Sequence, residues 1–65
     1  MIDYSPLWRM MKEKEISQYY LLKKCGIDNK TLDSIKKNGN ITVLTLEKLC
    51  VALDCTPNDI LQFRN

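Results

Sequence analysis

Residues 17–37 read SQYYLLKKCGIDNKTLDSIKK, and the fold turns on them. The Ser17 hydroxyl can accept from the free N–H groups that open a helix, which is then predicted to run two turns to about Lys24. Gly26 follows where the chain must turn, most cheaply with a positive φ. Ile27 plugs the corner, Asp28 supplies a second N-cap, and Leu32 and Ile35 face inward. Two short helices joined by a glycine-bearing turn form a helix-turn-helix pattern.

The second of these helices is predicted over 29–37. At about 100° per residue, Lys30, Asp33, Ser34 and Lys37 all fall within about 140° of Asn29, and Leu32 and Ile35 fall on the opposite side. One arc is therefore wholly polar. Its groups suit base edges: Asn for adenine, Lys for guanine, Ser for either, and Asp as an acceptor from cytosine. Any amphipathic surface helix also has a polar arc, and Asp33 repels phosphates. The arc alone leaves base reading and a plain solvated face both open. Asp28 reads as a cap rather than a base reader.

Working outward, helix-start signals recur at short intervals. Ser5-Pro6 offers a capping hydroxyl followed by proline at the first helical position, and Thr56-Pro57 repeats the device with Asp59 in the first turn. Thr42 precedes Leu46, Leu49, Cys50 and Leu53, which share one helical face. Five helices are predicted, over 6–14, 18–24, 29–37, 43–53 and 57–63. No period-two run of β-branched residues argues for a sheet. Helices this short must hold one another. With 65 residues the chain is expected to form one domain, 1–65, with a small core.

These residues resemble the Cro/C1-type helix-turn-helix regulators, in their small single-domain branch. Ser17-Gln18, Leu21, Cys25-Gly26-Ile27, Leu32 and Ile35 stand where that family has its Ser-Gln opening, buried positions and turn glycine. The stretch 42–57 resembles the family's fourth helix and the start of its fifth. Leu22 departs from the alanine often found there, and Glu15 from the usual glycine or asparagine at the end of helix one. The resemblance implies an all-α, five-helix, lambda-repressor-like DNA-binding domain with the helix-turn-helix unit at about 17–37. It implies that the helix from Asn29 enters the major groove of double-stranded DNA. Asn29, Lys30, Ser34 and Asp33 are then the expected base readers. Gln18, Tyr19, Lys36, Lys37, Asn38 and Asn40 are the expected phosphate contacts. Gly39 in the Asn38-Gly39-Asn40 turn also reads as a structural helix stop.

The charge distribution fits this placement and fits a plain solvated helical face equally. The formal charge is +2 overall, but it sums to zero over 1–16, to +3 over 17–42 and to −1 over 43–65. An anionic partner would be met in the middle third. On the fourth helix, Leu44 and Val51 project away from the core side. With Phe63 they form a candidate surface for a homodimer, since symmetric operators need two subunits. The competing reading is that Val51 and Phe63 close the packing between helices four and five, while Tyr4 and Trp8 cover the open end of the core.

Other classes fare badly. The chain has no histidine, and its three cysteines, Cys25, Cys50 and Cys55, form no CxxC. No metal, cofactor, small-molecule ligand or catalytic step is expected, and Cys25 and Cys50 read as core residues. No apolar run is long enough to span a membrane, and the opening Met1-Ile2-Asp3-Tyr4 resembles no secretory leader. The expected setting is the cytoplasm. The expected role is a sequence-specific transcriptional regulator, as a repressor or a phage or mobile-element control protein. The alternative is a protein-interaction or antitoxin-like module that keeps the fold with weak or no DNA binding.

Overall fold

The computed structural model describes residues 1–65. The order is β1 (Ile2–Asp3), α1 (Ser5–Glu13), α2 (Gln18–Lys24), α3 (Asn29–Lys36), α4 (Val43–Leu53), a 3-10 turn (Pro57–Asp59) and β2 (Gln62–Phe63). Four helices therefore form, not five. The expected helix over 57–63 is a single 3-10 turn, in which the Asp59 carboxylate accepts from the N–H and hydroxyl of Thr56 at 3.1 and 3.2 Å. The chain then extends, and β2 pairs antiparallel with β1, Ile2 opposite Phe63 and Asp3 opposite Gln62. The absence of a period-two run did not exclude this sheet, because a two-residue strand needs none.

Local caps act where the sequence places them. Ser17 accepts from the Tyr20 N–H at 3.3 Å, Asp28 from the Thr31 N–H at 2.8 Å and Thr42 from the Thr45 N–H at 3.0 Å. Ser5 is an exception. Tyr4 holds the cap position of α1, and the Ser5 hydroxyl is turned back to donate to Asp3 at 2.7 Å. Gly26 adopts φ +70°, as the turn requires.

Three helices end with a non-glycine residue in the left-handed region: Glu15 (φ 56°), Asn38 (57°) and Asp54 (51°). In each case the next residue reaches back into the helix. Ile16 donates to the Met11 carbonyl at 2.8 Å, Gly39 to Ser34 at 2.6 Å and Cys55 to Cys50 at 3.0 Å. These bonds satisfy carbonyls that would otherwise be left open at a helix end. Asn38, not Gly39, is thus the left-handed stop of α3. Gly39 eases a close approach instead, because a Cβ there would lie a tight 3.1 Å from the Ser34 carbonyl oxygen.

One core joins all four helices and the C-terminal turn. It contains Leu7 and Met11 of α1, Leu21 of α2, Leu32 and Ile35 of α3, Leu49 and Leu53 of α4, and Tyr4, Cys25, Ile27 and Ile60 between elements. Tyr4 is fully buried rather than a lid over an open end, while Trp8 is half-buried against the same core. Cys25 belongs to the core as expected, and Cys50 is half-buried against it. Burial, reinforced by Cys50 and Asp59 nearby, pushes the Cys55 thiol up to about 11, so at neutral pH it is protonated and a poor nucleophile.

Asp3 joins the two ends of the chain. Its carboxylate accepts from the Ser5 N–H (3.1 Å) and hydroxyl (2.7 Å), from the Gln62 amide (2.8 Å) and from the Arg64 guanidinium (2.6 Å). The donors from Gln62 and Ser5, with the Arg64 charge beside them, hold the carboxyl well below the usual carboxylate range. A lowered folded-state pKa stabilises the protein above the ordinary value of 3.8 and stops doing so as pH falls toward the folded-state value. Asp3→Asn is expected to melt below the wild type at neutral pH, with the gap narrowing as pH falls below that ordinary value. Melts showing the same gap at every pH would contradict the role given to this carboxylate.

Candidate nucleic-acid interface

Helix α3 presents the predicted arc to solvent. Leu32 and Ile35 are buried on one side, and Asn29, Lys30 and Asp33 are exposed on the other, with Ser34 half-buried between them. Asp28 is committed to the cap. The hydrogen bond from the Thr31 N–H keeps its carboxyl below the usual range. α2 packs on α3 through Leu21, Cys25 and Ile27, so the turn between them is rooted in the core and holds α3 outward.

Asp33 has a partner. The Lys37 ammonium lies 2.9 Å from its carboxylate, one helical turn on, and both side chains are mostly exposed. The pair offsets the repulsion that Asp33 alone would exert on an anion. An exposed pair of this kind is worth at most about 1 kcal/mol, so a better ligand can open it.

A shallow recess lies beside the arc, lined by Lys30, Thr31 and Ser34 from α3 and by Asn40, Ile41 and Thr42 from the segment entering α4. It brings two expected base readers, Lys30 and Ser34, together with an expected phosphate contact, Asn40. Thr31 and Thr42 join them, and sequence reasoning missed both. Thr42 was legible as a cap, but only the folded chain brings the start of α4 beside α3.

The remaining expected contacts are spread around it. Lys36, Lys37 and Asn38 stand exposed at the end of α3. The Asn38 side-chain oxygen already accepts from the Tyr4 N–H at 3.2 Å, which leaves its NH₂ group as the available donor. Gln18 and Tyr19 are exposed on the first turn of α2, and the Lys23 ammonium sits 5.6 Å from the centre of the Tyr19 ring.

Leu44, Val51 and Phe63 are strongly exposed, as is Val43. The reading in which Val51 and Phe63 close a gap between two helices therefore fails. Phe63 lies on β2, and both side chains are in solvent. No helix is long and apolar enough to cross a membrane.

The model of the Cro/C1-type helix-turn-helix DNA-binding domain matches residues 6–65. The uncharacterised helix-turn-helix-type transcriptional regulator YozG of Bacillus subtilis strain 168 is 41% identical over 59 residues, covering 86% of this chain and 69% of YozG. The crystal structure of the transcriptional regulator VanUg superposes with a TM-score of 0.89 over 94% of this chain and 81% of that one. At 24% identity, that likeness is one of fold.

Proposed function

The chain belongs to the Cro/C1-type helix-turn-helix DNA-binding family, and from that premise we propose that it is a sequence-specific transcriptional regulator. Residues 1–65 act as one binding unit, and α3 lies in the major groove of duplex DNA. The single observation that carries this reading is the outward polar arc of α3, with Leu32 and Ile35 anchoring its other side in the core. Asn29, Lys30 and Ser34 read base edges. Asp33 contributes to reading once its bond to Lys37 opens. Gln18, Tyr19, Lys36, Lys37, Asn38 and Asn40 hold the sugar-phosphate strands, and Thr42 and Thr31 complete the recess.

The protein works by occupancy, as a repressor or as a control protein of a phage or mobile element, with no catalytic step. Two copies joined through Leu44, Val51 and Phe63 would present two such helices to a symmetric site. The alternative, an interaction or antitoxin-like module, draws support from the same exposed apolar side chains and from the paired Asp33.

Selection from random duplex DNA, followed by titration, tests the proposal. Asn29→Ala or Ser34→Ala is expected to cost about 1–3 kcal/mol on the selected site alone, while Lys37→Ala weakens all DNA alike. If none of the three substitutions changes binding, the site assignment is wrong. If no duplex is enriched, the interaction module takes its place. Sedimentation of the same samples reads the dimer, and a strict monomer at high concentration, with and without DNA, would remove it.

A further inference from the structure

We infer that Tyr4, which stands outside the helix-turn-helix unit, is a positioning residue for DNA binding: it sets the α3–α4 turn that carries the phosphate contacts Asn38 and Asn40 beside Ser34. The inference rests on the DNA-reading proposal above. The Tyr4 ring is fully buried. Its phenol donates to the Gly39 carbonyl at 2.5 Å, and its backbone N–H donates to the Asn38 side-chain oxygen at 3.2 Å. One residue therefore grips both residues that end α3, more than thirty positions along the chain. Burial pushes the phenol above its ordinary range, so it remains a donor at any working pH.

The gripped turn has little freedom of its own. Asn38 is in the left-handed region, and the Gly39 N–H is bonded back to Ser34 at 2.6 Å. The next residue, Asn40, already lines the recess with Lys30 and Ser34. Shifting Gly39 therefore moves Asn40 and Thr42 relative to the arc. Behind Tyr4, Asp3 is held by Ser5, Gln62 and Arg64. The paired chain ends and the reading turn are thus joined through one side chain that itself needs no DNA contact.

Tyr4→Phe keeps the ring in the core and removes only the bond to Gly39. The probes are the duplex recovered by selection and an unrelated duplex of equal length. Thr56→Ala, which opens the cap of the 3-10 turn and touches no reading residue, serves as the control for lost stability. All titrations are run well below the melting midpoint of each variant, which the melts establish. Because Asn38 and Asn40 hold phosphates, Tyr4→Phe is expected to weaken the selected and the unrelated duplex alike, roughly 3- to 10-fold. Thr56→Ala is expected to leave both unchanged. A folded Tyr4→Phe protein with unaltered affinity for both duplexes overturns the inference while leaving the DNA-reading proposal intact. A wild type that prefers no duplex overturns both.

Discussion

Leu49→Ala is expected to leave the protein close to the edge of folding. Leu49 lies on the inner face of α4, is fully buried, and belongs to the one cluster that joins all four helices. Truncating such a leucine removes its transfer free energy and leaves a cavity, at a cost of about 2–5 kcal/mol. A 65-residue chain has a total stability of only about 3–10 kcal/mol. It hides only about 60% of the surface that its unfolded form exposes, so few other contacts compensate. The thermal midpoint should fall by roughly 10 °C or more. Val51→Ala on the same helix is the matched contrast. Val51 is 76% exposed, and its loss should stay within about 0.5 kcal/mol. Thermal melts by far-ultraviolet circular dichroism compare the two, and equal midpoints would mean that the inner face of α4 is not where the stability resides.

The same contrast explains what the sequence could disclose. Helices α2, α3 and α4 were legible because their signals are local: a capping oxygen, a 3.6-residue apolar period and a turn glycine lie within a few positions of the bonds they make. Ser17, Asp28 and Thr42 all cap as their positions suggest. The chain ends were not legible, because their structure is decided across the whole length of the molecule. Nothing near Gln62 announces a strand. It extends there to pair with β1, where Asp3, 59 positions from Gln62, accepts from Gln62 and Arg64. Ser5 fails as a cap for a local reason, since its hydroxyl goes to Asp3 two residues back. At the end of α3 the local rule pointed to Gly39. There Asn38 takes the left-handed conformation and its side-chain oxygen accepts from the Tyr4 N–H, while a Cβ at Gly39 would press within 3.1 Å of the Ser34 carbonyl oxygen. The polar arc was readable from spacing alone. The recess was not, since Thr42 meets Thr31 only after α4 has folded back.

Raising salt should separate a phosphate-bound protein from one that merely keeps the fold. If Lys36 and Lys37 each neutralise one phosphate, about two counterions leave per subunit. The logarithm of affinity should then fall with the logarithm of salt at a slope of roughly −1.8. Between about 50 and 200 mM salt that is a loss of roughly 12-fold per subunit, and more for a pair bound together. Lys36→Gln should flatten the slope by about one unit without altering which duplex is preferred, because a lone ammonium on a phosphate carries no sequence information. Lys37 differs because it starts bonded to Asp33 at 2.9 Å. For it to reach a phosphate, that exposed pair must open, at a cost of at most about 1 kcal/mol. Asp33→Asn releases Lys37 and deletes a negative charge from the reading face, so it should tighten binding to unrelated duplexes. Its effect on the selected duplex depends on whether Asp33 also accepts from a base. A loss there, beside a gain on unrelated DNA, would mark Asp33 as a reader, and an equal gain on both would mark it as a counterion only. A flat salt response across the wild type and both variants would leave the basic middle third of the chain without an anionic partner, and the regulator reading would fall with it.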